Sequence, residues 1–380
     1  MEKIEELSPW WGRAVAFTFV FGFAVLILLT VKAYQNAPPI PDRVIDTEGT
    51  VVFTGDDVRA GQQVFLKYGL MDNGTIWGHG GYLGPDFGAA TLHNWALDLA
   101  NRLAQTQFGG NYASLTELKR AAIGGQVATL LKTNRYDAAT GVLTLLPAGA
   151  ETFTGETARW KTYFENPELN GGLAANLISD PHEIHDLTAF FTWAAWGSVA
   201  KRPGTAHSYT NNFPYDPLAG NNPTGAALLW TGISFIFLLG GTALVLLAFG
   251  KFDYLGWHGA PAAMEKWSLS DSQRATLKYM AVAAVLLLGQ TFFGAGVAHY
   301  RADPGSFYGI DLAAYFPSNL LRIWHLQSAI FWIATSYVAG ALFVAEMLGR
   351  TSPPKQALGI HLLFGAVAVV IVGSMLGEWA

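Results

Sequence analysis

Cysteine is absent from all 380 residues. Without it there is no disulfide, no thiolate zinc site and no covalent haem of the Cys-x-x-Cys-His kind, so haem c is excluded. Charge is also scarce. Asp, Glu, Lys and Arg make up 13% of the chain against 51% hydrophobic residues, which is poor in charge for a soluble enzyme. A net charge of −5 offers no basic surface for nucleic acid.

The missing charge is concentrated in five runs: Ala14–Val31, Gly225–Gly250, Tyr279–Ala298, Ile323–Ala345 and Gln356–Gly377. Each reaches or approaches the ~20 residues that cross a bilayer, so an all-α polytopic membrane protein with five crossings is expected. Basic residues in short loops set the orientation. Lys251, Lys266, Arg274 and Lys278 follow the second run, and Arg350 and Lys355 follow the fourth, which places both loops in the cytoplasm. Residues 1–34 then form an amino-terminal anchor, 35–224 an exported domain, and 225–380 a membrane domain. The apolar core of the first run is longer than that of an ordinary signal peptide, and Glu2, Glu5 and Glu6 precede it, so an uncleaved anchor is expected.

Within the exported segment, Thr50–Thr54 reads as a strand and Val58–Tyr68 as a helix capped by Asp56 or Asp57. The glycine-dense stretch Gly69–Asp86 reads as a loop. Helices are expected at Thr91–Gln107, Ser114–Lys132 and Pro181–Ala200, the last lying on the core or the membrane face, with a small hairpin over Arg135–Leu146. The segment from Arg202 to Thr224, dense in Pro, Asn and Gly, reads as a structured loop.

Histidines inside apolar helices carry the chemistry, because an ionisable group in hydrocarbon is costly and marks function. His325 sits two residues into the fourth run, with Arg322, Ala329 and Trp332 at helical spacing. A neutral imidazole there suits a haem iron, with Arg322 as a cation at the cofactor rim; a histidine bonded to a neighbouring helix is the competing expectation. Just past the third run, His299, Asp303 and Phe307 share a face at i, i+4 and i+8 if the helix continues, a trio fitted to a quinol head group or, alternatively, to an interfacial belt. Pro304 disfavours a helical Asp303. His361, near the cytoplasmic side, reads as packed or interfacial. His182 and His185 have an i, i+3 spacing that could hold a metal, but no further ligand is evident, and a capped helix start is preferred. Glu346 and Glu378 read as interfacial.

The run His325-Leu-Gln-Ser-Ala-Ile-Phe-Trp-Ile-Ala-Thr335 resembles the helix that carries a low-spin haem b ligand in quinol-dependent nitric oxide reductases of the haem-copper oxidase superfamily. Ser8-Pro-Trp-Trp11, Gly69-Leu-Met-Asp-Asn-Gly-Thr-Ile-Trp-Gly-His-Gly80, Tyr209-Thr-Asn-Asn-Phe213 and His299-Tyr-Arg301 extend the resemblance along the chain, in the family's order. The resemblance implies a fused, α-rich cytochrome c-like domain without haem c, on the periplasmic side of a bacterial inner membrane. It implies that His325 is an axial ligand of low-spin haem b, and that His299, Asp303 and Phe307 line a pocket for membrane quinol. Asp303 stands where family members carry Glu, one methylene longer.

Two NO would be reduced to N2O and water at a high-spin haem b and a non-haem iron. Only three of the nine histidines lie in or beside crossings, too few for two haems and a three-histidine iron. The chain is therefore expected to be the amino-terminal part of such an enzyme, with 225–380 its first four catalytic helices, and inactive without further carboxy-terminal helices. A homodimer is a further possible partner state. Two other classes remain open: a membrane-anchored sensor or assembly protein, and a minimal quinol-linked cytochrome b.

Overall fold

A backbone in hydrocarbon must satisfy its own hydrogen bonds, so long charge-free runs are expected to become helices. The computed structural model describes residues 9–251, 268–306, 309–349 and 353–379. It opens with α1 (Pro9–Gln35), an apolar helix exposed along its length. An extramembrane domain follows. Its strands β1 (Arg43–Ile45) and β2 (Val51–Thr54) are antiparallel and lead into α2 (Gly55–Lys67). The cap of α2 is Thr54 and not Asp56 or Asp57. Thr54 Oγ accepts from the Asp57 amide, while Asp57 Oδ2 accepts from the Thr54 amide at 2.7 Å, a reciprocal capping box.

The glycine-dense stretch is more ordered than a loop. It holds a helical turn at Leu70–Asp72 and a two-stranded ladder of β3 (Thr75–Ile76) and β4 (His79–Gly80). Next come α3 (Phe87–Phe108), α4 (Glu117–Lys132), the expected hairpin as β5 (Tyr136–Asp137) and β6 (Val142–Thr144), α5 (Pro147–Glu165) and α6 (Pro181–Val199). The four longer-range strands form one sheet, ordered β2-β1-β6-β5, with β1 and β6 parallel. The sequence does not announce α5. Its buried face runs through Gly149, Thr152, Phe153, Glu156, Trp160 and Phe164, where Thr152 and Glu156 interrupt the apolar stripe that periodicity detects.

Of the two places expected for α6, the core is the observed one. Phe191 stacks on Phe87 at 4.7 Å, Trp160 meets Phe191 edge-on at 5.1 Å, and Phe65 and Phe164 close the cluster, so rings fill the domain interior. Against this core α2 crosses α6 closely. A Cβ on Gly61 would lie 2.0 Å from the Asp186 carbonyl oxygen, so only glycine fits there.

The loop 201–224 is fastened by a buried cation. Lys132 Nζ donates to Asn212 Oδ1 at 2.7 Å and to Asn221 Oδ1 at 2.5 Å. Asn212 belongs to the Tyr209–Phe213 motif. Burial lowers the Lys132 ammonium from 10.5 to about 8, and Lys201 lowers it further by like charge. In the unfolded chain the amine holds its proton up to its ordinary value. Between pH 8 and 10.5 the unfolded state therefore binds more protons, and stability rises with pH there by on the order of 3 kcal/mol. Denaturant midpoints at pH 7.5 and 10 should show this gain in the wild-type domain and not in Lys132→Met. Equal slopes in the two proteins would contradict it.

Beyond the loop lie α7 (Gly225–Gly250), α8 (Asp271–Ala302), α9 (Ser318–Gly349) and α10 (Gln356–Gly377). With α1 they make five helices, among the described residues, long and apolar enough to cross a membrane. The chain is a mostly helical, multi-pass membrane protein. Helices α8 and α9 pack along each other and α10 joins them, with Tyr279 Oη donating to the Ile360 carbonyl at 2.7 Å and Trp324 Nε1 to the Met375 carbonyl at 3.1 Å.

Candidate functional site

The partner of His325 is the backbone of α8. His325 Nδ1 lies 2.8 Å from the Gln290 carbonyl oxygen. A carbonyl only accepts, so Nδ1 carries the proton and Nε2 keeps its lone pair. Among the described residues Nε2 has no hydrogen-bond partner. The ring fits against α8 because residue 294 is glycine: a Cβ there would stand 2.8 Å from both His325 Cε1 and Nδ1. Gln290 also acts through its side chain, where Oε1 accepts from Trp332 Nε1 at 2.5 Å. Trp332 lies seven residues after His325, two turns along the same face. It opens an apolar recess of about 740 Å³ continued by Ser336, Tyr337 and Gly340.

Arg322 is not a free rim cation. It pairs with the buried Asp72 and reaches the Gly80 carbonyl at 3.5 Å, both in the glycine-dense stretch. Burial pushes the Asp72 carboxyl above its ordinary range, and the Arg322 charge draws it partly back. The whole first turn of α9 is docked on the extramembrane domain: the Ser318 amide donates to Gly172 O at 2.8 Å and Asn319 Nδ2 to Tyr68 O at 2.9 Å.

The i, i+4, i+8 helical face is not formed. Helix α8 ends at Ala302, and Asp303 is its C-cap residue with φ −140° and ψ 86°, as the following proline demands. His299 and Asp303 nevertheless stay together, with Nε2 and Oδ2 4.0 Å apart. His299 Nε2 donates to Ser306 O at 2.9 Å, and Asp303 Oδ2 accepts from Ser306 Oγ at 2.8 Å. Phe307 lies outside the described residues. The extramembrane domain covers this end of α8: Gly172 packs on the Tyr300 ring, Arg301 Nη1 donates to Tyr82 O at 3.4 Å, and Glu168 lies against Gly305.

Elsewhere, His361 accepts from Lys278 Nζ in an exposed contact between α10 and α8. Glu346 is buried, and Glu378 accepts from Gln327 Nε2 at 3.3 Å. His185 is not grouped with His182; its ligand atom gathers instead with those of Asp57 and Asp186. Of the residues now on the site, Gln290, Gly294 and Asp72 escaped sequence reasoning. A glutamine inside a charge-free run was a usable signal; the other two needed the partner helix.

Residues 41–215 match the family model for the NorB cytochrome c-like domain of nitric oxide reductase. The chain carries a NorB cytochrome c-like domain. No curated protein matches the chain. The NorB-like domain coincides with the ring-filled extramembrane unit, and it relates the chain to nitric oxide reductases. The docked turn of α9 thus joins a NorB-like domain to the helix bearing His325.

Proposed function

We propose that this chain works in quinol-dependent nitric oxide reduction, within the haem-copper oxidase superfamily. In this proposal His325 is an axial ligand of a low-spin haem b. The residues His299 and Asp303 take the protons of a membrane quinol. The high-spin haem b, the non-haem iron and the remaining ligands are supplied by helices outside these 380 residues. The observation that carries it is the Nδ1–H bond from His325 to the Gln290 carbonyl, because metal-ligating imidazoles fix their second nitrogen on such an acceptor.

The donor set fits a haem. The Nδ1–H bond leaves Nε2 its lone pair for a metal and the Gly294 hydrogen leaves the ring its space, while the apolar recess of about 740 Å³ begins two turns along α9 at Trp332 and does not include His325 in its lining. A b-type haem bound there supplies one-electron redox chemistry. The chain's own residues do the rest. Gln290 holds the His325 tautomer and the Trp332 indole. The Asp303 carboxylate, oriented by Ser306, accepts one phenolic proton, and His299 accepts the proton of the second hydroxyl. His299 lies five residues beyond Gly294, about 7.5 Å along the α8 axis. Quinol would therefore be oxidised one to two turns from the His325 ring, on the side facing the NorB-like domain and, by the loop charges, the periplasm.

The test uses protein expressed from its native reading frame. His299→Ala and Asp303→Asn should each lower quinol-driven NO consumption by about 10²-fold or more, the scale of a lost proton-transfer group, while turnover from an artificial electron donor persists. Full quinol-driven activity in the double variant would refute the assignment.

A further inference from the structure

Sequence offered His185 only His182 as a companion, and the fold leaves His182 out and brings Asp57 from a helix much earlier in the chain to His185 and its neighbour Asp186. We propose that His185 and Asp186 of α6 and Asp57 of α2 form a site for a first-row divalent cation, zinc in the first instance, clasping the two helices of the NorB-like domain. This site is independent of the haem and quinol assignments.

Three observations carry it. First, one ligand atom from each residue lies within 4.8 Å of the other two. His185 Nδ1 and Asp186 Oδ1 are 3.4 Å apart, a poor hydrogen bond but close to the ~3.3 Å edge of a tetrahedron with metal–ligand bonds of about 2.0–2.1 Å. Side chains this exposed, His185 at 39% and Asp186 at 22%, can close the remaining gap by small rotations.

Second, the charges are unbalanced. Two carboxylates face each other across one imidazole, and among the described residues neither Asp57 nor Asp186 pairs with a lysine or arginine. Lys161, which borders the recess beside His185, is turned to Glu165 at 3.5 Å.

Third, the ligands are braced and reachable. Asp57 Oδ2 is held by the Thr54 amide at 2.7 Å and Thr54 Oγ at 2.9 Å, leaving Oδ1 for a metal, the outer-shell support that ligating carboxylates have. The close crossing at Gly61 sets the Asp186 backbone against α2. His185 borders an open recess of about 390 Å³ shared with Phe153, Thr157 and Ile184, which gives the ion a path and leaves a fourth position for water. An imidazole and two carboxylates without sulfur suit Zn²⁺ among first-row ions.

The experiment is calorimetric titration of zinc ion into the full chain in detergent, chelator-stripped, purified without a histidine tag, at about pH 7.5 where imidazole is free to bind. One equivalent per chain is expected. Asp57→Asn and His185→Ala should each weaken uptake at least about tenfold, whereas His182→Ala should keep it. Cobalt ion, added to the wild-type protein alone, should give visible d–d bands that zinc abolishes, a readout free of any folding defect in the variants. No saturable uptake by the wild type, or uptake unchanged in both ligand variants, overturns the site. Loss in His182→Ala equal to that in His185→Ala overturns the choice of ligands.

Discussion

If His325 holds the haem b proposed for it, Gly294→Val should abolish the haem spectrum of the protein as completely as His325→Ala. Even a bare Cβ at position 294 would stand 2.8 Å from two atoms of the His325 ring, well inside contact distance, and valine adds two methyls. The ring cannot retreat without giving up its Nδ1 bond to the Gln290 carbonyl at 2.8 Å. Metal–nitrogen distances tolerate only about ±0.2 Å, so a displaced ring no longer reaches the iron. Haem content by pyridine haemochromogen and the reduced-minus-oxidised spectrum measure the outcome. Gly289→Ala, where the new Cβ would meet only Phe293 at an ordinary 3.7 Å, should keep its haem and controls for helix insertion. A full complement of haem in Gly294→Val, with folding intact, would remove His325 from the ligand set.

Arg322→Met should loosen the seam between the NorB-like domain and α9. Asp72 is 5% exposed, and its carboxylate is answered by the Arg322 guanidinium. Removing one member of a buried ion pair strands the other charge, at a cost of about 3–5 kcal/mol. For a domain of this size that corresponds to a Tm lower by on the order of 10 °C, readable in the intrinsic fluorescence of its tryptophans. The double variant Asp72→Asn with Arg322→Met should recover much of the loss, since no bare charge remains buried. If the double variant is no more stable than Arg322→Met alone, the pair is not what holds the seam.

The sequence revealed the elements whose cause is local. Five charge-free runs had to be helices, and each of them is; a histidine in one of them needed a partner, and it has one. Pro304 announced the end of α8 before Asp303. The rest depends on residues distant in sequence. Asp72 and Arg322 are 250 positions apart, and nothing near Asp72 marks it as the counter-charge for a membrane helix. Gly294 carries no side chain to argue from; its meaning lies entirely in the ring opposite. Helix α5 escaped because it buries Glu156, answered by Asn94 at 2.9 Å and by Arg159, so its inner face is not uniformly apolar. The Asp57–His185–Asp186 group escaped for the same reason as the ion pair: sequence shows two of its members side by side, and the third is on another helix.

The docking of α9 also bears on how the chain meets its bilayer. A free transmembrane helix answers a thicker or thinner membrane by tilting or shifting along the normal, at a fraction of a kcal/mol per ångström. Among the described residues nothing buries the apolar windows of α1 and α7, so nothing along those windows opposes that freedom. Helix α9 lacks it at one end, because Ser318, Asn319 and Arg322 are bonded to the NorB-like domain. Hydrophobic mismatch must then be absorbed near Met347. The depth of His325 is then indexed to a folded protein surface rather than to the lipid alone.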